Sequence, residues 1–296
     1  MKITNLNKVS IIGLGMMGGS LAAALKNQSF SGEIFGYARD QSICKNALDS
    51  GIVDKASDDI KDAVCNADLI VMCLPIDIII KKSIEIRPFL KPQTLVTDIG
   101  STKKDLVNTL SPLYCESDNY FIGSHPICGS EKKGLGSLNK NLYQNKLTVI
   151  CADEKTPKEI LQRLIDFWHL VGCNTVVQDS NTHDQILAST SHLPHIISSL
   201  LVLTIHQSDD QKIEDIANAC GTGYLDMTRL ASGSSDIWKD ILSTNNENII
   251  KQLSLFEESI NELKKILESK DKKKIKLWLE KASILREEII SISRFL

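Results

Sequence analysis

VSIIGLGMMGGSLAAAL, from Val9 to Leu25, sets Gly13, Gly15 and Gly18 in the spacing GxGxxG between an apolar run and an alanine-rich one. The first run reads as a strand, the second as a helix, and the glycines join them. Gly13 makes a tight turn, Gly15 lets the backbone approach a pyrophosphate, and Gly18 lets helix and strand pack closely. The free N–H groups and the dipole at the start of the helix favour the anion. A dinucleotide seat of this kind sits on a parallel sheet, so the loop constrains the fold of everything around it.

The neighbouring sequence has the matching rhythm. KVSIIG, EIFGYA, DLIVMCL, TLVTDI, NYFIGS, KLTVI and NTVVQ alternate with helix-like segments between Lys8 and Val177. Runs as continuously apolar as DLIVMCL suit strands buried on both faces, and the spacers are long enough for crossover helices. The prediction is an α/β, doubly wound, Rossmann-like domain whose closely spaced last runs form a mixed edge. After Gln178 the strand rhythm stops and the rest reads as all-helical, which divides the chain into residues 1–179 and 180–296. A long helical segment from Asn181 to Gln207 contains Pro194, which predicts a kink. Ile249, Leu253, Phe256, Ile260, Leu263 and Leu267 recur at spacings of three and four. They mark an apolar face to be covered either within its own domain or by a second copy.

Composition excludes several classes. In 296 residues the formal net charge is −3, with 42% hydrophobic and 24% charged residues, so neither a polyanion-binding surface nor a disordered chain is expected. Nucleic acid is not an expected partner. MKITNLNK has no apolar signal region, and no later apolar run is read as approaching the roughly 20 residues of a membrane span. The expectation is a soluble, cytoplasmic protein without a membrane partner. The eight cysteines, at 44, 65, 73, 115, 128, 151, 173 and 220, show neither CxxC nor metal-ligand spacing. Most are expected to be small core residues in a reducing compartment, and no metal is expected.

The choice of dinucleotide turns on the end of the second strand, where an acidic residue binds the ribose 2′-hydroxyl of NAD. Here EIFGYA is followed by Arg39 and then Asp40. Arg39 suits the 2′-phosphate of NADP, and Asp40 sits late but within possible reach of a hydroxyl. The expectation is NADP or dual use, with NAD the alternative. Met16 and Met17 within the glycine loop, and Leu74 and Pro75 at the end of DLIVMCLP, are further expected cofactor contacts.

FIGSHPICGSEKKG, from Phe121 to Gly134, places His125 just after a strand and before a glycine-broken loop. A histidine beside a nicotinamide can take the proton of an alcohol whose carbon loses hydride, although a lone histidine is more often structural. TLVTDIGSTKKD puts Ser101 and Lys103 at the same carboxyl edge of the sheet, where ligands bind. Ser101 suits contact with nicotinamide or hydroxyl, and equally the N-cap of the next helix. His192 and His195 share one helical face on either side of Pro194, but no carboxylate or cysteine joins them, so core or pocket roles outrank a metal.

The glycine loop, DIGSTK, GSHPICGSEKKG, SHLPH and DMTRLASGSSDIW, in this order across most of the chain, resemble the prephenate dehydrogenase family. That resemblance implies a dinucleotide-binding domain followed by a helical substrate and dimerisation domain, hence a homodimer. It implies oxidative decarboxylation of prephenate to 4-hydroxyphenylpyruvate, with arogenate the substrate of some members and both accepted by others. His125 would be the catalytic base and Ser101 its aid at the ring hydroxyl. Arg229 would pair with a substrate carboxylate and His195 would line the substrate pocket. Ser130 and Glu131 would help close the site, and Trp238 would lie near the pocket. Without the motif, Arg229 reads as a surface arginine and Trp238 as helix packing.

Overall fold

The computed structural model describes residues 6–128, 134–207 and 213–293. Eight strands form one sheet in the order β3-β2-β1-β4-β5-β6-β7-β8. They are β1 (Lys8–Ile12), β2 (Glu33–Tyr37), β3 (Lys55–Ser57), β4 (Leu69–Met72), β5 (Leu95–Asp98), β6 (Tyr120–Pro126), β7 (Leu147–Cys151) and β8 (Asn174–Val177). The crossovers carry α1 (Met16–Asn27), α2 (Gln41–Asp49), α3 (Ile60–Val64), α4 (Ile76–Ile86), α5 (Lys104–Cys115) and α6 (Lys158–Leu170). All pairings are parallel except β6 with β7, so the expected mixed edge is present. Apolar clusters cover both faces: Val9, Ile11, Val71 and Trp168 on one, Ile12, Phe35, Ile70 and Phe121 on the other. This double burial is why the strands read as near-continuous apolar runs. Strand β3 was not among the expected seven; KAS is three residues long at the sheet edge, without apolar signal.

The order of strands reverses between β1 and β4, the switch point outside whose carboxyl ends ligands bind in open α/β sheets. The glycine loop and the exit of β4 meet there, Gly13 packing against Cys73 and Leu74. Downstream, α7 (Ser180–Leu187), α8 (Leu193–His206), α9 (Ile213–Ala219), α10 (Thr222–Thr228), α11 (Ser235–Thr244), α12 (Asn246–Glu268) and α13 (Lys272–Ile292) follow without a strand among the described residues. Where a kink was expected at Pro194, the structure has a π-helical turn, Ala188–His192, directly before the proline enters the first turn of α8. Proline has no N–H to return to the preceding turn, and the wider turn absorbs that gap.

By length and composition, Ser180–His206 would suffice to cross a membrane, contrary to the expectation that no run comes close. Within it His183 and Asp184 are buried and hydrogen-bonded to the sheet domain, and only 22% of its most apolar window is buried in the chain. The face on α12 is buried only at its start, at Ile249, while Ile260 and Leu267 are 40% and 52% exposed. No residue of α13 is buried, and Leu277, Ile284, Ile289 and Ile292 are open to solvent. All eight cysteines are free, but only Cys44, Cys151 and Cys173 are buried, fewer than expected; Cys65 and Cys115 are exposed at helix ends.

Candidate active site

The glycine loop has the geometry its motif demands. Gly13 adopts φ +108°, and a Cβ there would lie 2.3 Å from the Cys73 carbonyl oxygen of the neighbouring strand exit. At Gly18 a Cβ would lie 2.0 Å from the Gly13 carbonyl oxygen, so helix and loop touch backbone to backbone. Around Gly15 nothing comes within 4 Å of an added Cβ, and no side chain caps α1 there. Two glycines are thus required by the protein's own packing, whereas the third faces open space beside uncapped helix N–H groups. That is a seat for an anion from outside the chain, and it fits a dinucleotide pyrophosphate. Met16 is buried and Met17 half-buried at the start of α1, while Leu74 reaches within 2.9 Å of the Gly13 Cβ position, with Pro75 next as the N-cap of α4.

At the end of β2, Arg39 is exposed and has no ion pair among the described residues. Asp40 is the N-cap of α2, its Oδ1 accepting from Ser42 N at 2.8 Å. Hydrogen bonding from the Ser42 side chain, and then from this Ser42 N–H, holds its carboxyl below the ordinary range. The acidic side chain is engaged with its own helix, and the basic one is free to meet a ligand.

Along the same carboxyl edge, the end of β5 and the exit of β6 are tied together. Asp98 and Lys103 form a wholly buried ion pair. Asp98 also accepts from Gly100 N at 2.7 Å and Ser124 N at 3.1 Å. Burial pushes its carboxyl up while the Lys103 ammonium and these N–H groups oppose that. The Ser124 hydroxyl meets Thr97 Oγ1 at 2.7 Å and accepts from Trp168 Nε1 at 3.0 Å, which anchors β6 one residue before His125.

His125 is half-buried, and its Nδ1 lies 2.9 Å from His183 Nε2 on α7. His183 Nδ1 lies 2.7 Å from Asp184 Oδ1. The Asp184 carboxylate accepts from Lys103 N at 2.8 Å and Lys104 N at 2.9 Å, the first N–H groups of α5. Burial, reinforced by His183, the Lys103 ammonium and His192, holds His125 well below the ordinary histidine value, so its ring is uncharged near neutral pH. Ser101 does not cap α5, as its sequence position allowed: Lys103 is the N-cap residue, and Asp184 reaches over from α7 to satisfy the free N–H groups. The Ser101 hydroxyl is half-exposed and without a hydrogen-bond partner among the described residues.

The helical side holds a second cluster of rings. His195 stacks on Trp238 with ring centroids 3.5 Å apart and planes 13° from parallel. Gly233 passes over this pair, where a Cβ would lie 2.6 Å from His195 Cε1 and 2.8 Å from Trp238 Nε1. His192 stands edge-on to the same tryptophan, and its Nδ1 is 3.1 Å from Asn245 Nδ2, which also donates to the Asp184 carbonyl at 2.8 Å. Since Asn245 donates, the proton of His192 sits on Nε2, which is buried and unpartnered among the described residues. The two histidines belong to this ring cluster, and no group of metal-ligating side chains occurs among the described residues. Arg229 is exposed where α10 gives way to the short turn Arg229–Ser232, which is tied to α8 by Ala231 N donating to Ser198 Oγ at 3.0 Å. Ser130 and Glu131 lie outside the described residues.

Sequence reasoning missed His183 and Asp184. Their signal, HD on a helix with no matching motif, is indistinguishable from an ordinary polar helix face. Only the docking of α7 on α5 reveals their place.

The comparisons agree with this layout. Residues 21–177 match the prephenate dehydrogenase nucleotide-binding domain and residues 179–281 the prephenate dehydrogenase dimerization domain. The chain is 30% identical over 285 residues to the prephenate dehydrogenase of Lactococcus lactis, covering 95% of this chain and 77% of that protein. It superposes on the prephenate dehydrogenase of A. aeolicus, solved with hydroxyphenyl propionate and NAD+, with a TM-score of 0.87 and 32% identity over 96% and 98% of the two chains. It also resembles the arogenate dehydrogenase of Synechocystis, with a TM-score of 0.84 and 27% identity over 95% and 99%. A glycine loop shaped to seat a pyrophosphate, a histidine near the carboxyl end of β6 and matches to both halves of one enzyme lead to one assignment: the chain belongs to the prephenate dehydrogenase family.

Proposed function

We propose that this protein oxidatively decarboxylates prephenate to 4-hydroxyphenylpyruvate, with residues 1–179 binding the dinucleotide and residues 180–296 completing the substrate site and forming a cytoplasmic homodimer. The observation that carries the reading is His125, near the carboxyl end of β6 with its Nδ1 held 2.9 Å from His183 Nε2, while Ser101 follows β5 on the same carboxyl edge with its hydroxyl unpartnered among the described residues. The bound nicotinamide supplies the hydride acceptor. His125 takes the proton of the ring hydroxyl as the carbinol carbon gives up hydride. Loss of the ring carboxylate as carbon dioxide leaves a phenolate, to which His125 returns the proton. Ser101 orients the hydroxyl, Arg229 pairs with a carboxylate, and the His195–Trp238 stack lines the pocket for the ring. The family resemblance adds Ser130 and Glu131 to the closing loop.

Prephenate is favoured over arogenate by His195, whose place is often taken by another residue in arogenate-preferring members. The exposed, unpaired Arg39 and the engaged Asp40 favour NADP or dual use over strict NAD. The test mixes purified protein with prephenate or arogenate and NAD or NADP, following reduced nicotinamide and carbon dioxide together. Coupled formation from prephenate is expected, and Arg39→Ala should weaken NADP about ten- to a hundredfold while sparing NAD, the loss of one charged hydrogen-bonding pair. Silence from all four mixtures despite dinucleotide binding would overturn the reading.

A further inference from the structure

His125 has two ring nitrogens, and only one of them can serve as a base in the uncharged ring. Which one is free depends on its neighbours. Asp184 is held by two backbone N–H groups at the start of α5, where the helix dipole favours an ionised carboxylate. A carboxylate only accepts, so the 2.7 Å bond from His183 must be donated by His183 Nδ1–H. A singly protonated His183 then has a bare Nε2, which can only accept across the 2.9 Å to His125 Nδ1.

We infer that His183 and Asp184 are positioning residues that hold the proton of His125 on Nδ1 and leave its Nε2 as the proton-accepting nitrogen. The inference deepens the proposed function, on which the base role of His125 rests. When the hydroxyl proton arrives on Nε2, the positive charge on His125 is met through Nδ1–H···Nε2 of His183 and Nδ1–H···Oδ1 of Asp184. The relay passes from a net charge of minus one to zero, which a buried site favours over creating a lone cation. The return of the same proton to the phenolate restores the starting state, so no proton is gained or lost over the cycle.

The relay also spans the two domains. His125 is the penultimate residue of β6, whereas His183 and Asp184 sit on α7, the first helix beyond the sheet. The clasp of Asp184 on the α5 N-terminus is flanked by two other cross-domain contacts, Thr102 Oγ1 to Thr244 Oγ1 at 2.8 Å and Lys104 to Glu247 at 3.5 Å. Correct docking of the helical domain therefore sets the tautomer of a residue on the other domain.

The test has two arms. In full-length protein labelled with 15N-histidine, whose six histidines are assigned by single substitutions, His125 should show a pyridine-type Nε2 and a protonated Nδ1. In His183→Phe, which keeps a ring but removes the acceptor, His125 should lose that fixed pattern. With prephenate and its preferred dinucleotide, His183→Phe should lower kcat by about 10²- to 10⁴-fold, the scale of a misassigned general base. KM and dinucleotide affinity should stay within about threefold, which also certifies folding. A wild-type His125 protonated on Nε2, or a doubly protonated His183, overturns the inference, as does a kcat preserved in the variant. The resonance arm needs no turnover, so it decides the tautomer even if no cyclohexadienyl acid proves to be a substrate.

Discussion

Gly15→Ala and Gly18→Ala should separate two roles that the glycine motif runs together. Gly18 is packed against the protein itself: its Cβ would overlap the Gly13 carbonyl oxygen at 2.0 Å, backbone on backbone, so loop or helix must move. Overpacking of that kind costs about 1–3 kcal/mol or more. Gly15 has φ −79° and ψ −164°, comfortable for alanine, and nothing within 4 Å of the new methyl. Its stability should stay within about 1 kcal/mol, the loss of a tolerable N-cap offset by a stiffer unfolded chain. Thermal unfolding would register this as a few degrees at most, at about 2–4 °C per kcal/mol. A methyl at Gly15, however, occupies the space through which a pyrophosphate approaches the helix N–H groups. Loss of one such charged hydrogen bond is worth about 1.5–3 kcal/mol, or roughly a ten- to hundredfold rise in dinucleotide Kd. Calorimetric titration of both variants with NAD and NADP, beside their melting curves, measures all four quantities. Unchanged affinity in Gly15→Ala would refute the pyrophosphate seat. Destabilisation equal to that of Gly18→Ala would refute the packing argument.

Two further perturbations address the buried charges. Lys103→Met leaves Asp98 wholly buried without its cation, which should cost about 3–5 kcal/mol in urea unfolding; a loss below about 1 kcal/mol would mean the pair is not the brace it looks like. His192 is held down to about 4 by burial, below its unfolded value of 6.5, so as pH falls the unfolded chain binds the proton first. Its contribution to stability is intact above pH 6.5 and disappears as pH falls to about 4. Between pH 7 and pH 4, His192→Gln should therefore lose about 3 kcal/mol less stability than the wild-type protein, as read by denaturant unfolding at each pH. His125 is also depressed, and because His192 is one of the groups depressing it, removing His192 relieves part of that loss as well, in the same direction.

Much of the sheet was legible because its strands are buried on both faces, which writes their position into runs of Val, Ile and Leu. Strand β3 escaped because KAS lies half-exposed at an edge and is specified by pairing with Phe35–Tyr37 rather than by its own composition. Although β6, expected to stop before it, runs through it to Pro126 and pairs it with Val149, His125 was legible through its place near a strand's carboxyl end. Its orientation was not, because the groups that decide it come from a helix 58 residues later. The same is true of Ser101: Ser before a helix is a good cap by sequence, yet the carboxylate of Asp184, 81 residues from Lys103, takes that task. A local rule lost to a long-range one at the point where the chemistry sits. Such a conflict is informative, since a serine relieved of capping keeps its hydroxyl for a ligand, and a helix capped by the other domain links that domain's docking to the state of the base. On the proposed reading, a chain severed near Asp179 should retain dinucleotide binding in its first part, while His125, deprived of His183, loses its fixed tautomer.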